Sequence, residues 1–128
     1  MRFKNFFVLL FALSFSLFGS ADVSLINPKE ENYGWTYNNG PEFKGAKVKF
    51  EAKEEEGNPV IFLYGDFNEG GNYVNADCRV ANVETENLEM SLNTDIEVIT
   101  FRIIDTGGVC HQIKYKAKKV KGWQKIKF

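Results

Sequence analysis

Apolar and polar residues alternate in short runs along this chain, and turn-forming residues separate the runs. In residues 46–52, Val48 and Phe50 are interleaved with Lys47, Lys49 and Glu51. That period of two predicts a strand with one face inward. Residues 60–64, Val-Ile-Phe-Leu-Tyr, are apolar without a break and predict a central strand covered on both faces. Further strands are predicted over 73–83, 88–92, 98–104, 109–117 and 123–128. Turn signals divide them: Asn39-Gly40-Pro41, Gly57-Asn58-Pro59, Gly70-Gly71, Asn93-Thr94-Asp95, Gly107-Gly108 and Lys121-Gly122. Only residues 53–56 have a helix-favouring composition, and four residues are too few to nucleate a helix. The pattern predicts an all-β, antiparallel sandwich or barrel. Residues 22–32 read either as a leading strand through Val23-Ser24-Leu25-Ile26 or as an unpaired arm.

Two glycine-bearing connections stand out. Gly65-Asp66-Phe67-Asn68-Glu69-Gly70-Gly71-Asn72-Tyr73 separates the 60–64 run from an alternating one, and Gly70 and Gly71 admit backbone angles that other residues resist. Asp105-Thr106-Gly107-Gly108 joins the 98–104 and 109–117 runs. Asp, Asn, Tyr, His and Gln in or beside these turns suit a recognition rim better than a reaction centre.

The first 21 residues change the picture. Arg2 and Lys4 precede a largely apolar stretch over 6–18, and Gly19-Ser20-Ala21 offers small side chains before Asp22. This is the pattern of a cleavable export signal. The apolar stretch is also shorter than the roughly 20 residues of a membrane-spanning helix, so no stable membrane insertion is expected. The expected organisation is a signal peptide over 1–21 and one domain over 22–128, secreted or periplasmic. Loss of Arg2 and Lys4 takes the 16 basic residues to 14 against 17 acidic ones, a net charge of −3. That balance, without a basic stripe, argues against a nucleic-acid partner. Lys114, Lys116, Lys118, Lys119 and Lys121 read as a solvated strand face.

Cys78 and Cys110 are the two cysteines. A pair in an exported chain reads first as a disulfide, worth roughly 3–4 kcal/mol on loop entropy. Alternation places Cys78 with Val74, Ala76 and Val80, and Cys110 with Gln112 and Lys114. A bridge therefore requires a change of register near Gly107-Gly108. A metal site built on these cysteines lacks partners, because His111 is the sole histidine and no CxxC spacing occurs.

An enzyme is not expected. GxSxG, HExxH, P-loop and GxGxxG patterns are all absent. Asp66 and Asp105 are the best carboxylate pair, and both read first as turn caps. His111 shares a face with Val109, Ile113 and Tyr115 and reads first as a core ring. Arg102 and Gln112 fall on the opposite faces of their strands from the apolar residues. If the two strands pair, guanidinium and amide project from one surface and can fork onto vicinal hydroxyls. Trp35, Tyr37, Tyr73 and Trp123, at or near turns, are candidate platforms for the apolar face of a sugar.

Three segments carry a resemblance. They are residues 39–46, Asn-Gly-Pro-Glu-Phe-Lys-Gly-Ala; Gly65-Asp66-Phe67 with Gly70-Gly71-Asn72-Tyr73-Val74; and Arg102 with residues 105–112, Asp-Thr-Gly-Gly-Val-Cys-His-Gln. With a closing Gly122-Trp123-Gln124-Lys125-Ile126, they resemble the galactose-binding-like jelly-roll modules that accompany secreted bacterial glycoside hydrolases. The resemblance implies a non-catalytic jelly roll that binds an oligo- or polysaccharide, with Asp66, Asn72, Tyr73, Arg102, Asp105, His111 and Gln112 at matching positions. It also implies a structural calcium, although no Asp/Asn cluster has a recognisable calcium-loop spacing. The attached hydrolase of those proteins has no counterpart here. A structural or protein-interaction module of the bacterial cell envelope is the alternative expectation.

Overall fold

The computed structural model of the protein describes residues 23–80 and 86–128, together with the backbone of Asn5–Leu10. The described residues form nine strands and no α-helix. The strands are β1 (Asn5–Leu10), β2 (Trp35–Asn38), β3 (Lys47–Glu55), β4 (Asn58–Asp66), β5 (Asn75–Cys78), β6 (Glu89–Thr94), β7 (Val98–Ile104), β8 (Cys110–Lys116) and β9 (Gln124–Lys127). Five make one sheet in the order β3-β4-β1-β6-β9, while β2-β5 and β7-β8 are two-stranded. Every strand pair is antiparallel. The fold is all-β, as the alternation predicts.

β3 and β4 meet in a two-residue turn, Glu55 opposite Asn58, with Glu56 at φ 51° and Gly57 at φ 80°. Positive φ at both central positions matches the right-handed twist of a hairpin. The helix-favouring residues 53–56 are thus the end of β3 and its turn. β4 is the covered central strand expected from its unbroken apolar run. Val60, Ile61, Phe62 and Leu63 are all buried, and its backbone pairs with β3 on one side and β1 on the other.

One core unites the three sheets. Ile61, Met90, Leu92 and Ile126 of the large sheet cluster with Trp35 of β2, Ile99 of β7 and Ile26. Residues 22–32 therefore include neither a strand nor an unpacked arm in their described part. Ile26 is buried, and Trp35 Nε1 donates to the Leu25 carbonyl at 2.7 Å. Bonding that nitrogen allows the indole to be buried without a polar penalty.

Several expectations need correction. The strand after the Gly70-Gly71 connection does not turn back onto β4; it leaves the large sheet, and β5 pairs with β2 from Trp35↔Cys78 to Asn38↔Asn75. The two glycines serve close packing. A Cβ on Gly71 would lie 2.5 Å from the Ala46 Cβ, and one on Gly45 would lie 2.2 Å from the Glu69 carbonyl oxygen. The expected disulfide does not form, and both cysteines are free. Cys78 packs against the core from β5, whereas Cys110 is exposed at the start of β8. No register change brings the two faces together, as the alternation had required.

Residues 1–4 and 11–22 of the expected leader, with its cut before Asp22, lie outside the described residues. So do residues 81–83 of the strand expected over 73–83. Asn5–Leu10, within the leader by sequence, pairs with β4 over six residues and with β6 over four. Among the described residues no helix is long and apolar enough to cross a membrane.

Candidate functional site

The β7–β8 hairpin holds most of what could meet a ligand. Its register is Ile99↔Tyr115, Phe101↔Ile113, Ile103↔His111 on one face and Val98↔Lys116, Thr100↔Lys114, Arg102↔Gln112, Ile104↔Cys110 on the other. At its base Ile99 is buried, and the rings of Phe101 and Tyr115 each meet Phe128, at centroid separations of 5.0 and 5.8 Å. Gln124 fixes the hairpin further. It is buried, and its Oε1 accepts from the Tyr115 hydroxyl at 3.2 Å and the Lys118 N–H at 3.3 Å. Ala117 N–H also donates to the Glu97 carbonyl at 2.9 Å.

The tip is organised by Asp105. Its Oδ1 accepts from the Gly107 and Val109 N–H groups, each at 2.9 Å, and its carbonyl accepts from Gly108 N–H at 3.0 Å. Gly108 stands at φ 80°, which continues the turn into β8. Asp105 Oδ2 lies 3.0 Å from His111 Nε2. The hydrogen bond from His111, then those from the Val109 and Gly107 amides, hold the Asp105 carboxyl below the usual aspartate range. His111 is thus not a core ring. It is exposed, because only the inner half of the hairpin reaches the core.

The outer half leaves large apolar side chains in solvent. Ile104 is 70% exposed, Val109 55%, and Ile103 and Ile113 41% each. Alternation puts Ile103, Val109 and Ile113 on one face with His111, continuous with half-buried Phe101 and buried Ile99. The opposite face carries Arg102, Gln112, Lys114 and Lys116. These four isoleucines and valines were not among the residues singled out from sequence. The Ile103-Ile104 pair directly before a turn was the only signal, since alternation alone does not tell how far a strand extends beyond its core.

The other expected ligand residues are scattered. Arg102 Nε donates to Gln112 Oε1 at 3.0 Å, so these two do project from one surface. The Tyr73 hydroxyl donates to Glu42, which raises the tyrosine pKa and lowers that of the carboxyl, and the Arg102 charge pulls Tyr73 the other way. Arg102 and Gln112 are therefore one neighbourhood. Trp35 is 7% exposed and committed to the core, which removes it as a platform. Tyr37 is exposed but stacks on Phe50 at 5.3 Å. Asp66 caps its own turn through the Asn68 N–H at 2.9 Å, and Asn72 is exposed. Trp123 precedes β9 and is partly exposed.

None of these eight residues, nor Asp105, lines either of two surface grooves. One, of about 440 Å³, lies between the β6–β7 turn and residues 117–122; the other, of about 170 Å³, lies between residues 23–34 and 78–80. Among the described residues no group of three or more His, Cys, Asp or Glu is placed to hold a metal ion. No family model, curated protein or solved structure matches the chain.

Proposed function

We propose that this is an exported, non-catalytic protein-interaction module of the cell envelope, which docks through the β7–β8 hairpin. The observation that carries this reading is the apolar face of the tip, with Ile103, Val109 and Ile113 in solvent and Ile104 exposed on the reverse face, on a hairpin whose base is anchored in the core. Contiguous exposed apolar side chains on a small domain cost solubility and favour association. A rigid base lowers the ordering entropy that a partner must offset. Arg102, Lys114 and Lys116 lie on the reverse face of the hairpin, away from Ile103, Val109 and Ile113. The two small sheets and the large sheet, sharing one core, are read as the layers of a β-sandwich.

A photo-crosslinking residue at position 103 of the exported protein tests this. A discrete protein adduct that disappears with Ile113→Glu supports docking. Absence of an adduct, or one indifferent to Ile113→Glu, counts against it.

Carbohydrate binding, the leading expectation from the resemblance, is the second reading. It is favoured by the Arg102–Gln112 fork. The burial of Trp35, and the position of the two described grooves away from Arg102 and Gln112, put it behind docking. Retention on a glycan array that is lost with Arg102→Ala would reverse that order.

A further inference from the structure

We infer that the mature, exported protein carries a vacant strand slot between β4 and β6, filled by an extended apolar segment donated by another polypeptide. The inference rests on the reading of residues 1–21 as a leader removed on export, and not on the hairpin. Asn5–Leu10, of sequence Asn-Phe-Phe-Val-Leu-Leu, occupies the slot in the full-length chain. It runs antiparallel to β4 from Asn5↔Gly65 to Leu10↔Val60, and antiparallel to β6 from Phe7↔Thr94 to Leu10↔Ser91. Cleavage after residue 21 takes this strand away from the middle of the five-stranded sheet.

The two edges left behind cannot simply close. Neighbouring strands lie about 4.8 Å apart, so β4 and β6 would stand roughly 10 Å apart, well beyond the ~3 Å of a backbone hydrogen bond. Both run antiparallel to β1 and therefore parallel to each other, a pairing found nowhere else among the described strands. The edges are also not blunted. Pro59 stands at one end of β4, and from Val60 to Leu63 the strand has no charge or proline to discourage a newcomer. β6 likewise presents Ser-Leu-Asn-Thr, residues 91–94, opposite the slot. Unpaired amides and carbonyls at such a place are costly, and an added strand satisfies both rows together. The occupant has a stated form: about six residues, apolar, free of proline within the paired stretch, and entering antiparallel to both neighbours.

The test uses the full chain expressed with export, its amino terminus read by intact mass. The probe is a synthetic peptide, Asn-Phe-Phe-Val-Leu-Leu with two lysines added at each end; the control has proline in place of the second phenylalanine and the first leucine. The expected result is a product that begins at or near Asp22 and binds the first peptide one to one. At a hundredfold excess over Kd its Tm rises on the order of 10 °C. At least tenfold slower hydrogen exchange is expected in Val60–Gly65 and Ser91–Thr94 amides that β3 and β9 do not engage. If the exported product is aggregated or a strand-exchanged oligomer, refolding with the peptide yields monomer and the control does not. The inference is overturned by a monomeric product whose β4 and β6 amides are fully protected without peptide, by equal effects of the two peptides, or by no response to either. A product that retains residues 5–10 overturns it through the leader reading instead. Ile103→Lys leaves peptide binding unchanged, which separates this inference from hairpin docking.

Discussion

Glu56 holds a left-handed backbone while carrying a Cβ, at φ 51° beside Gly57 at φ 80°. Most L-residues lose roughly 1–2 kcal/mol there, whereas asparagine tolerates it. Glu56→Asn is therefore expected to stabilise the fold by about 0.5–1 kcal/mol and raise Tm by a few degrees, read by thermal melting. Asp105 makes a different kind of prediction, because its charge and its caps act together. Its folded carboxyl is held low by His111 and the two turn amides, so it stabilises the turn above the ordinary aspartate pKa of about 3.9. That contribution is lost as pH falls through the lowered value. In NMR spectra the Gly107 and Val109 amides should lose protection below about pH 4, before those of β4 do. Asp105→Asn should flatten this response by removing the titrating group.

The elements differ in how readily the chain disclosed them. In the 40–46 and 65–74 connections, Gly45 and Gly71 let two backbones touch where a Cβ would sit 2.2–2.5 Å from its neighbours. Gly45→Ala should cost at least about 2 kcal/mol, more than the roughly 1 kcal/mol expected for Gly57→Ala, whose site is sterically open. Denaturant midpoints measure both. The free thiols allow a sharper check. Burial, and next the Asp77 charge, push the Cys78 thiol up to about 11, whereas Cys110 lies open to solvent. A maleimide at neutral pH should label Cys110 rapidly and Cys78 only after unfolding. Strand positions were legible because alternation is local: Val98–Ile104 is found where its seven residues predict it. Pairing was not, since which strand meets Asn75–Cys78 depends on Trp35–Asn38, some forty residues earlier. The candidate site was legible in its Arg102–Gln112 pair and illegible in Trp35, whose indole finds the Leu25 carbonyl rather than a ligand.

At the scale of the whole molecule, one apolar cluster draws on all three sheets, and the β7–β8 hairpin reaches beyond it. Side chains inside the cluster and outside it should respond to mutation in opposite ways. Truncating Leu92 or Ile61 removes buried volume and should cost 2–5 kcal/mol. Ile103 and Ile113 lie outside, and the docking proposal assigns their value to a partner and not to the fold. The double variant Ile103→Lys and Ile113→Lys, followed by thermal melting alongside crosslinking from position 109, tests that division most directly. The docking account predicts a Tm within about 3 °C of the parent and at least tenfold less protein adduct. A Tm lower by 8 °C or more, or an undiminished adduct, would contradict it.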